Sequence, residues 1–361
     1  MRLFQNSGVY SAYLPRLNQL AAGKRTFRER LDAFLQDRYG ASHFLEPVLN
    51  GDASAFFTNG NDMTMQNMWA AESGMPAQSS PESILLAQIE DHRADVFYNL
   101  DPIRFQSAFV RRLPGCVKRS IAWRAAPSPG ADFGAYDRVV CNFPSILKSY
   151  ADKGWATAFF FPAHDPVLDE YASNEDRPID MLFIGGYSRH HRRRAQLLEE
   201  VASMDARHSV VMHLDQSRLA RLAESPIGRL LPLARHRRPL NVRRVSKPAL
   251  FGRAMYSALS KAKIVLNGAV DMAGSDRGNM RCFEALGGRC ALLTDSGSYP
   301  EGMVNGATMI TYDGVGDAIA KLSLLLDDAA LRSRISRDGN QMIRRNYSKR
   351  QQIERFHELL N

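Results

Sequence analysis

Short apolar runs alternate with helix-length amphipathic stretches along most of the chain, the pattern of an α/β protein built on largely parallel sheets. In the first half, "MRLFQ", "HFLEPVL", "ADVFYNL", "VKRSIAW", "DRVVCNF" and "ATAFFF" predict strands. Between them, "SPESILLAQIEDHR" predicts a helix. Ser80 is a capping residue, Pro81 suits the first helical position, and Ile84, Leu85, Gln88 and Ile89 recur at helical spacing. The alternation lapses at "FPAHDPVLDEYASNEDRPID", which is rich in proline and acids and predicts an interdomain linker. It restarts with "IDMLFIGG", the helix "SRHHRRRAQLLEEVASM", and the strands "HSVVMHL", "NVRRV", "AKIVLNGA", "CALLTD" and "ATMITY". Helices over 315–345 and in "SKRQQIERFHELL" close the chain.

The pattern therefore predicts two doubly wound, Rossmann-like domains: 1–165, a linker at 166–178, 179–345, and a helix at 346–361 packing back on the first domain. A length of 361 residues agrees, since single hydrophobic cores stop growing below this size. Open parallel sheets bind ligands outside the carboxyl ends of their strands. A cleft lined by those ends is thus expected between the domains. In the first half the ends carry "NSGVY", "NLDP" with Asn99 and Asp101, "WRAAP" with Arg124, "NFPS" with Asn142, and "PAHDP" with His164 and Asp165.

Composition narrows the class. Apolar residues at 45% and charged residues at 24% describe a globular chain and exclude a disordered one. No apolar run approaches the roughly 20 residues that span a bilayer, and "MRLFQNSGVY" lacks the apolar stretch of a signal peptide, so the expected location is the cytoplasm. The four cysteines, Cys116, Cys141, Cys282 and Cys290, form no CxxC pair and predict neither disulfides nor a zinc site. The net charge of +9 gathers in "RHHRRR" at 189–194 and "RHRRPLNVRR" at 235–244, which suit phosphate-bearing ligands, an anionic membrane or nucleic acid, or form a plain solvated face. Aromatics are not interleaved with these runs, which disfavours nucleic acid. Walker, G-x-S-x-G and G-x-G-x-x-G motifs are absent.

The segment "SDRGNMRCFEALGGRCALLTD", residues 275–295, carries the most chemistry. It predicts a loop, a helix that Asn279 caps, and a buried strand. A helix N-terminus accommodates an anionic diphosphate, and Arg277 and Arg281 would reinforce it. Glu284, one turn further, can accept the two hydroxyl hydrogens of a ribose diol. The ordinary alternative is an i,i+3 ion pair with Arg281. Gly287 and Gly288 permit close packing of the helix on the strand.

"RCFEALGGRCALLTD" resembles the C-terminal signature of GT-B fold glycosyltransferases, in particular the CgeB-like group and relatives of glycosyltransferase family 4. The resemblance is best over 179–345, and "YDRVVCNFPSILKSYADKGWATAFFFPAHDP" resembles the end of the N-terminal domain. It implies an enzyme that moves a sugar from a nucleotide-diphosphate donor, UDP-, GDP- or dTDP-linked, to a glycan, lipid-linked or protein acceptor without metal or other cofactor. In Glu-x7-Glu of that family the second acid binds ribose, matched here by Glu284, and the first lies toward the sugar, replaced here by the shorter Asp276. By the same resemblance Gly186, Ser188, Arg189 and His190 meet the diphosphate, Leu250 or Phe251 packs on the base, and Ser7, Gly8 and Tyr10 meet the donor phosphates and acceptor from the first domain. Core or surface roles are the ordinary alternatives for each. If the transfer inverts configuration, Asp101 or His164 is the expected general base. A non-catalytic basic binding protein and a nucleotide-sugar epimerase are the rival readings. The basic surface also suggests peripheral contact with an anionic membrane.

Overall fold

The computed structural model describes residues 1–188, 191–216, 218–268 and 273–361, with the backbone alone for Arg218, Arg229 and Arg235. They form two units: Met1–Ala163 together with residues 273–276 and Tyr347–Asn361, and the remainder from His164 onward.

The first unit is a six-stranded parallel sheet: β1 (Leu3–Ser7), β2 (Ala55–Asn59), β3 (Val96–Asn99), β4 (Arg119–Trp123), β5 (Arg138–Cys141) and β6 (Thr157–Phe159), ordered β2-β1-β3-β4-β5-β6. Strand order reverses at β1 and β3, where Leu3 stands opposite Val96 and Asn6 opposite Asn99. Helices on its flanks bury the apolar side chains that such strands present on both faces. The helix Pro81–Asp91 begins as its sequence predicts: Ser80 Oγ accepts from the Ser83 backbone N–H at 3.1 Å, and Ile84, Leu85, Gln88 and Ile89 are buried.

The second unit repeats the plan with β7 (Ile179–Gly186), β8 (Val210–Asp215), β9 (Ser246–Pro248), β10 (Ala262–Leu266), β11 (Ala291–Asp295) and β12 (Ile310–Tyr312), ordered β12-β11-β10-β7-β8-β9 and parallel throughout. Here the order reverses between β7 and β10. Met181, Phe183, Ile264, Leu266, Leu293 and Leu198 belong to its core.

The last helix, Lys349–Leu360, belongs to the first unit, as expected. Ser348 and Gln351 form a capping box at its start. The buried Lys349 ammonium donates to the carbonyls of Ala41 and Phe44 at 2.7 and 2.8 Å, and Phe356 packs on Tyr98 with ring centroids 5.0 Å apart.

Two local expectations are corrected. "HFLEPVL" is a 3-10 turn (Ala41–His43) followed by the short helix Glu46–Leu49, because Phe44, Leu45, Val48 and Leu49 also fit helical spacing and Pro47 suits a first turn. The strand lies later, in "AFFTN". "NVRRV" is helical (Leu240–Val245), with Val242 and Val245 three apart on the buried side; the strand is the following Ser246–Pro248. The segment read as a linker contains the helix Leu168–Ala172, whose two end residues are buried. Among the described residues no helix is long and apolar enough to cross a membrane.

Candidate active site

In the second unit, β7 and β10 are neighbours at the reversal of strand order, and the space outside their carboxyl ends is where doubly wound sheets hold ligands. β7 ends in Gly185 and Gly186. A Cβ on Gly185 would stand 2.6 Å from an Arg194 guanidinium nitrogen and 3.0 Å from the Phe183 ring, so only glycine lets that guanidinium lie against the strand end. Arg194 comes from the first turn of the helix Arg192–Ser203, and its guanidinium lies over the Phe183 ring at 5.1 Å. Its Nε is buried and has no hydrogen-bond partner among the described residues, and it makes no ion pair among them. Burial lowers its pKa, while Tyr312 and Asp295 oppose that shift. A half-buried guanidinium that forms no ion pair among the described residues is suited to an anionic ligand.

β10 leads into Asn267, a hub. Its Nδ2 donates to Thr294 Oγ1 at 3.1 Å, its Oδ1 accepts from Asn279 Nδ2 at 3.3 Å, and its carbonyl accepts from Tyr312 Oη at 2.9 Å. Asn279 occupies the N-cap position of the helix Met280–Gly287 as expected, but its side chain does not bond a free backbone N–H there; Asn267 takes it instead. The helix-start N–H groups are left without a side-chain cap, and such groups favour anions. Arg277 forms an ion pair with Asp295 at the end of β11, and its backbone N–H donates to Ser298.

Glu284 and Arg281 make the anticipated i,i+3 pair, Nη1 to Oε2 at 2.6 Å. The pair does not sit on an open helix surface: Glu284 is only 8% exposed. Burial raises its carboxyl pKa and the Arg281 charge works against the rise. Its second oxygen, Oε1, accepts no hydrogen bond among the described residues. Arg281 also lies beside Met255 Sδ. Gly287 approaches not a strand but Leu168 and His164, which a Cβ would meet at 2.7 and 2.8 Å.

The other predicted residues are placed as follows. Ser188 is half-buried and Gly186 exposed, with open space where a Cβ would be. Arg189 and His190 lie outside the described residues. Phe251 is half-buried at the N-cap position of the helix Gly252–Ser260. His164 is 5% exposed, its Nε2 2.9 Å from Asp169 Oδ1.

In the first unit, Gly8 and Asp101 meet at the reversal between β1 and β3. A Cβ on Gly8 would come 3.0 Å from Asp101 Oδ2. Asn61 holds the same turn by bonding Val9 in both directions, at 2.8 and 2.9 Å. Beneath lies a buried relay: Asn6 Nδ2 donates to Asn99 Oδ1 at 2.8 Å, Asn99 Nδ2 to Tyr136 Oη at 2.6 Å, and the Asp101 backbone N–H to Asn99 Oδ1 at 2.9 Å. Asp101 also pairs with Arg104 at 3.3 Å. Tyr10 is exposed, edge-on to Tyr39. Asp276 belongs to this unit, where Oδ2 accepts from the Ser145 backbone N–H at 2.6 Å in the first turn of the helix Pro144–Ala151. Arg194, Asn267, Asp295, Asn6 and Asn61 were not singled out from sequence; Arg194 alone had a signal there, as the last arginine of "RHHRRR".

Residues 192–358 match the family described as glycosyl transferase-like. No curated protein matches the sequence. Among solved structures, HepE of Anabaena in complex with UDP and glucose is similar with a TM-score of 0.59 at 11% identity, covering 100% of this chain and 99% of that one. A glycosyltransferase from Rickettsia africae gives 0.54 at 11% identity, covering 99% and 98%. TarM of S. aureus, in complex with UDP and alpha-GlcNAc-glycerol, gives 0.55 at 12% identity over 78% of this chain, which spans 59% of TarM. The specific CgeB-like or family 4 grouping does not emerge from these matches. The two-sheet architecture is that of the GT-B fold, and the matched residues 192–358, most of them in the second unit, are similar to a glycosyl transferase-like domain.

Proposed function

We propose that the protein transfers a sugar from a nucleotide-diphosphate donor, held by the second unit, to a glycan, lipid-linked or protein acceptor. The observation that carries this reading is the largely buried Glu284 carboxylate, with one oxygen fixed by Arg281 and the other accepting no hydrogen bond among the described residues, one turn into the helix that follows β10. A carboxylate oxygen in a side chain only 10% exposed, with no donor among the described residues, is suited to a donor from a ligand. A ribose diol supplies two. UDP is the first nucleotide to test, because HepE and TarM were both solved with it.

Loss of the nucleotide diphosphate from the anomeric carbon builds negative charge on the leaving phosphate, and fixed positive potential there is the largest contribution a protein makes. Arg194 and the uncapped N-terminus at Asn279 are suited to that role, with Arg277 held ready by Asp295. In this reading fixed positive charge at the leaving phosphate takes the part that a metal ion would otherwise have. For an inverting reaction Asp101 is the better base: it is only partly buried, whereas His164 is enclosed and engaged by Asp169. Asp276, serving the helix start at Ser145, is assigned to positioning the loop that leads to Arg277.

Thermal shift with UDP, GDP, dTDP and CMP tests the reading. A selective rise with one nucleotide is expected, together with release of free nucleotide from the matching sugar donor. No rise with any of the four overturns it. Sugar inversion on the nucleotide without an acceptor would select the epimerase reading instead.

A further inference from the structure

The segment from Arg218 to Arg244 holds eight arginines and a single acid, Glu224, so it supplies seven of the nine net positive charges. That acid is already used. Arg238 binds it through two bonds, Nε to Oε1 at 2.8 Å and Nη2 to Oε2 at 2.7 Å, and Arg243 stands 3.9 Å away. Arg237 is committed to the fold of the segment, donating to the backbone carbonyls of Ala223, Gly228 and Leu231. Arg221 and Arg244 are exposed and have no ion pair among the described residues.

The same segment turns aliphatic side chains outward. Ala223, Val242 and Val245 are buried and anchor its inner side. Leu219, Leu222, Ile227, Leu230, Leu231 and Leu240 nevertheless face solvent, Leu230 at 88%, Ile227 at 71% and Leu240 at 69%. They are six of the thirteen large exposed hydrophobics among the described residues, gathered within 22 positions. Single exposed leucines need no explanation, but a concentration of them does.

We infer that this arginine-rich, aliphatic segment of the second unit is a docking surface for an anionic lipid bilayer. Exposed aliphatic side chains beside arginines match the boundary between acyl chains and acidic headgroups, where apolar burial and charge attraction add. Nucleic acid fits less well, because the segment contains no Phe, Tyr or Trp on which a base could stack. A protein partner would have to bring acids against the arginines and a groove for six aliphatic side chains; a bilayer presents both without shape complementarity. None of its residues is among those assigned to the donor, so its test stands apart from the sugar-transfer reading.

Flotation of the full chain with vesicles is the experiment. Vesicles of about one third phosphatidylglycerol in phosphatidylcholine should bind the protein, pure phosphatidylcholine should bind it at least about tenfold less, and salt well above 0.1 M should weaken but not abolish binding. Two double variants at exposed positions separate the contributions: R221E/R244E and I227S/L230S should each lower partition about tenfold or more. Near-UV circular dichroism and nucleotide-induced thermal shift should match the wild type for both. Equal flotation of wild type and both variants would overturn the inference. So would absence of wild-type binding to the acidic vesicles, or retention on RNA with none on vesicles.

Discussion

The sharpest prediction concerns Glu284→Gln, which keeps the shape of the side chain and removes its charge. In the wild type one carboxylate oxygen takes the Arg281 guanidinium at 2.6 Å, and the other has no donor among the described residues. In E284Q the amide oxygen can still serve Arg281, but the free position becomes an N–H2 group that cannot accept from a hydroxyl. A hydrogen bond to a charged acceptor contributes about 1.5–3 kcal/mol. Its loss weakens nucleotide binding about ten- to a hundredfold, since each 1.4 kcal/mol or so is a factor of ten. The unliganded protein should change little: the Arg281 side chain is 18% exposed and keeps a neutral acceptor, so the melting temperature should stay within about 4 °C of the wild type. Calorimetric titration with the nucleotide that shifts the wild type provides the readout. Burial raises the Glu284 pKa, and the sign follows: protonation on lowering the pH turns one acceptor oxygen into a hydroxyl. Wild-type affinity should therefore fall as the medium is acidified through that raised pKa, while E284Q should lack this component. A nucleotide affinity in E284Q within twofold of the wild type would remove Glu284 from the site, whatever the activity of the variant.

Two further outcomes are expected. Arg194→Ala should weaken nucleotide-diphosphate binding more than binding of the parent nucleoside, because the guanidinium beside Gly185 is assigned to phosphate; an equal loss for both ligands would limit Arg194 to packing on Phe183. In the first unit, burial and the neighbouring Lys349 charge push the His43 pKa down from 6.5 to about 3. A depressed folded-state pKa means that the unfolded chain takes the proton first, so stability is full above pH 6.5 and is lost on acidification toward about 3. Trp123 lies 4.6 Å from the His43 ring, and its fluorescence should follow the transition. A His43→Phe variant should show a flatter acid profile, and an unchanged one would assign the sensitivity to another group.

The doubly wound architecture could be read along the chain because its strands are short apolar runs with helices between them, and burial on both faces demands that pattern wherever it occurs. Reading failed where a run satisfied two periods at once. "HFLEPVL" and "NVRRV" have apolar positions that suit a strand by content and a helix by spacing, and neighbouring elements settled which face was buried. Glu284 could be picked out because its partner Arg281 lies one turn away on the same helix. Its burial could not be foreseen.

The remaining parts of the site join residues far apart in the chain. Asn267 takes the Asn279 side chain proposed as a cap, Asp295 takes Arg277, and Arg194 reaches the end of β7 past Gly185, nine residues before it. His164 and Asp276 stand near strand ends in sequence, yet one is enclosed against Gly287 and the other serves the helix at Ser145. Periodic burial and helix-turn spacing are local properties and can be deduced from neighbours along the chain. Which polar group satisfies which other is decided by the sheet, because parallel connections bring the ends of strands separated by tens of residues to within hydrogen-bonding distance.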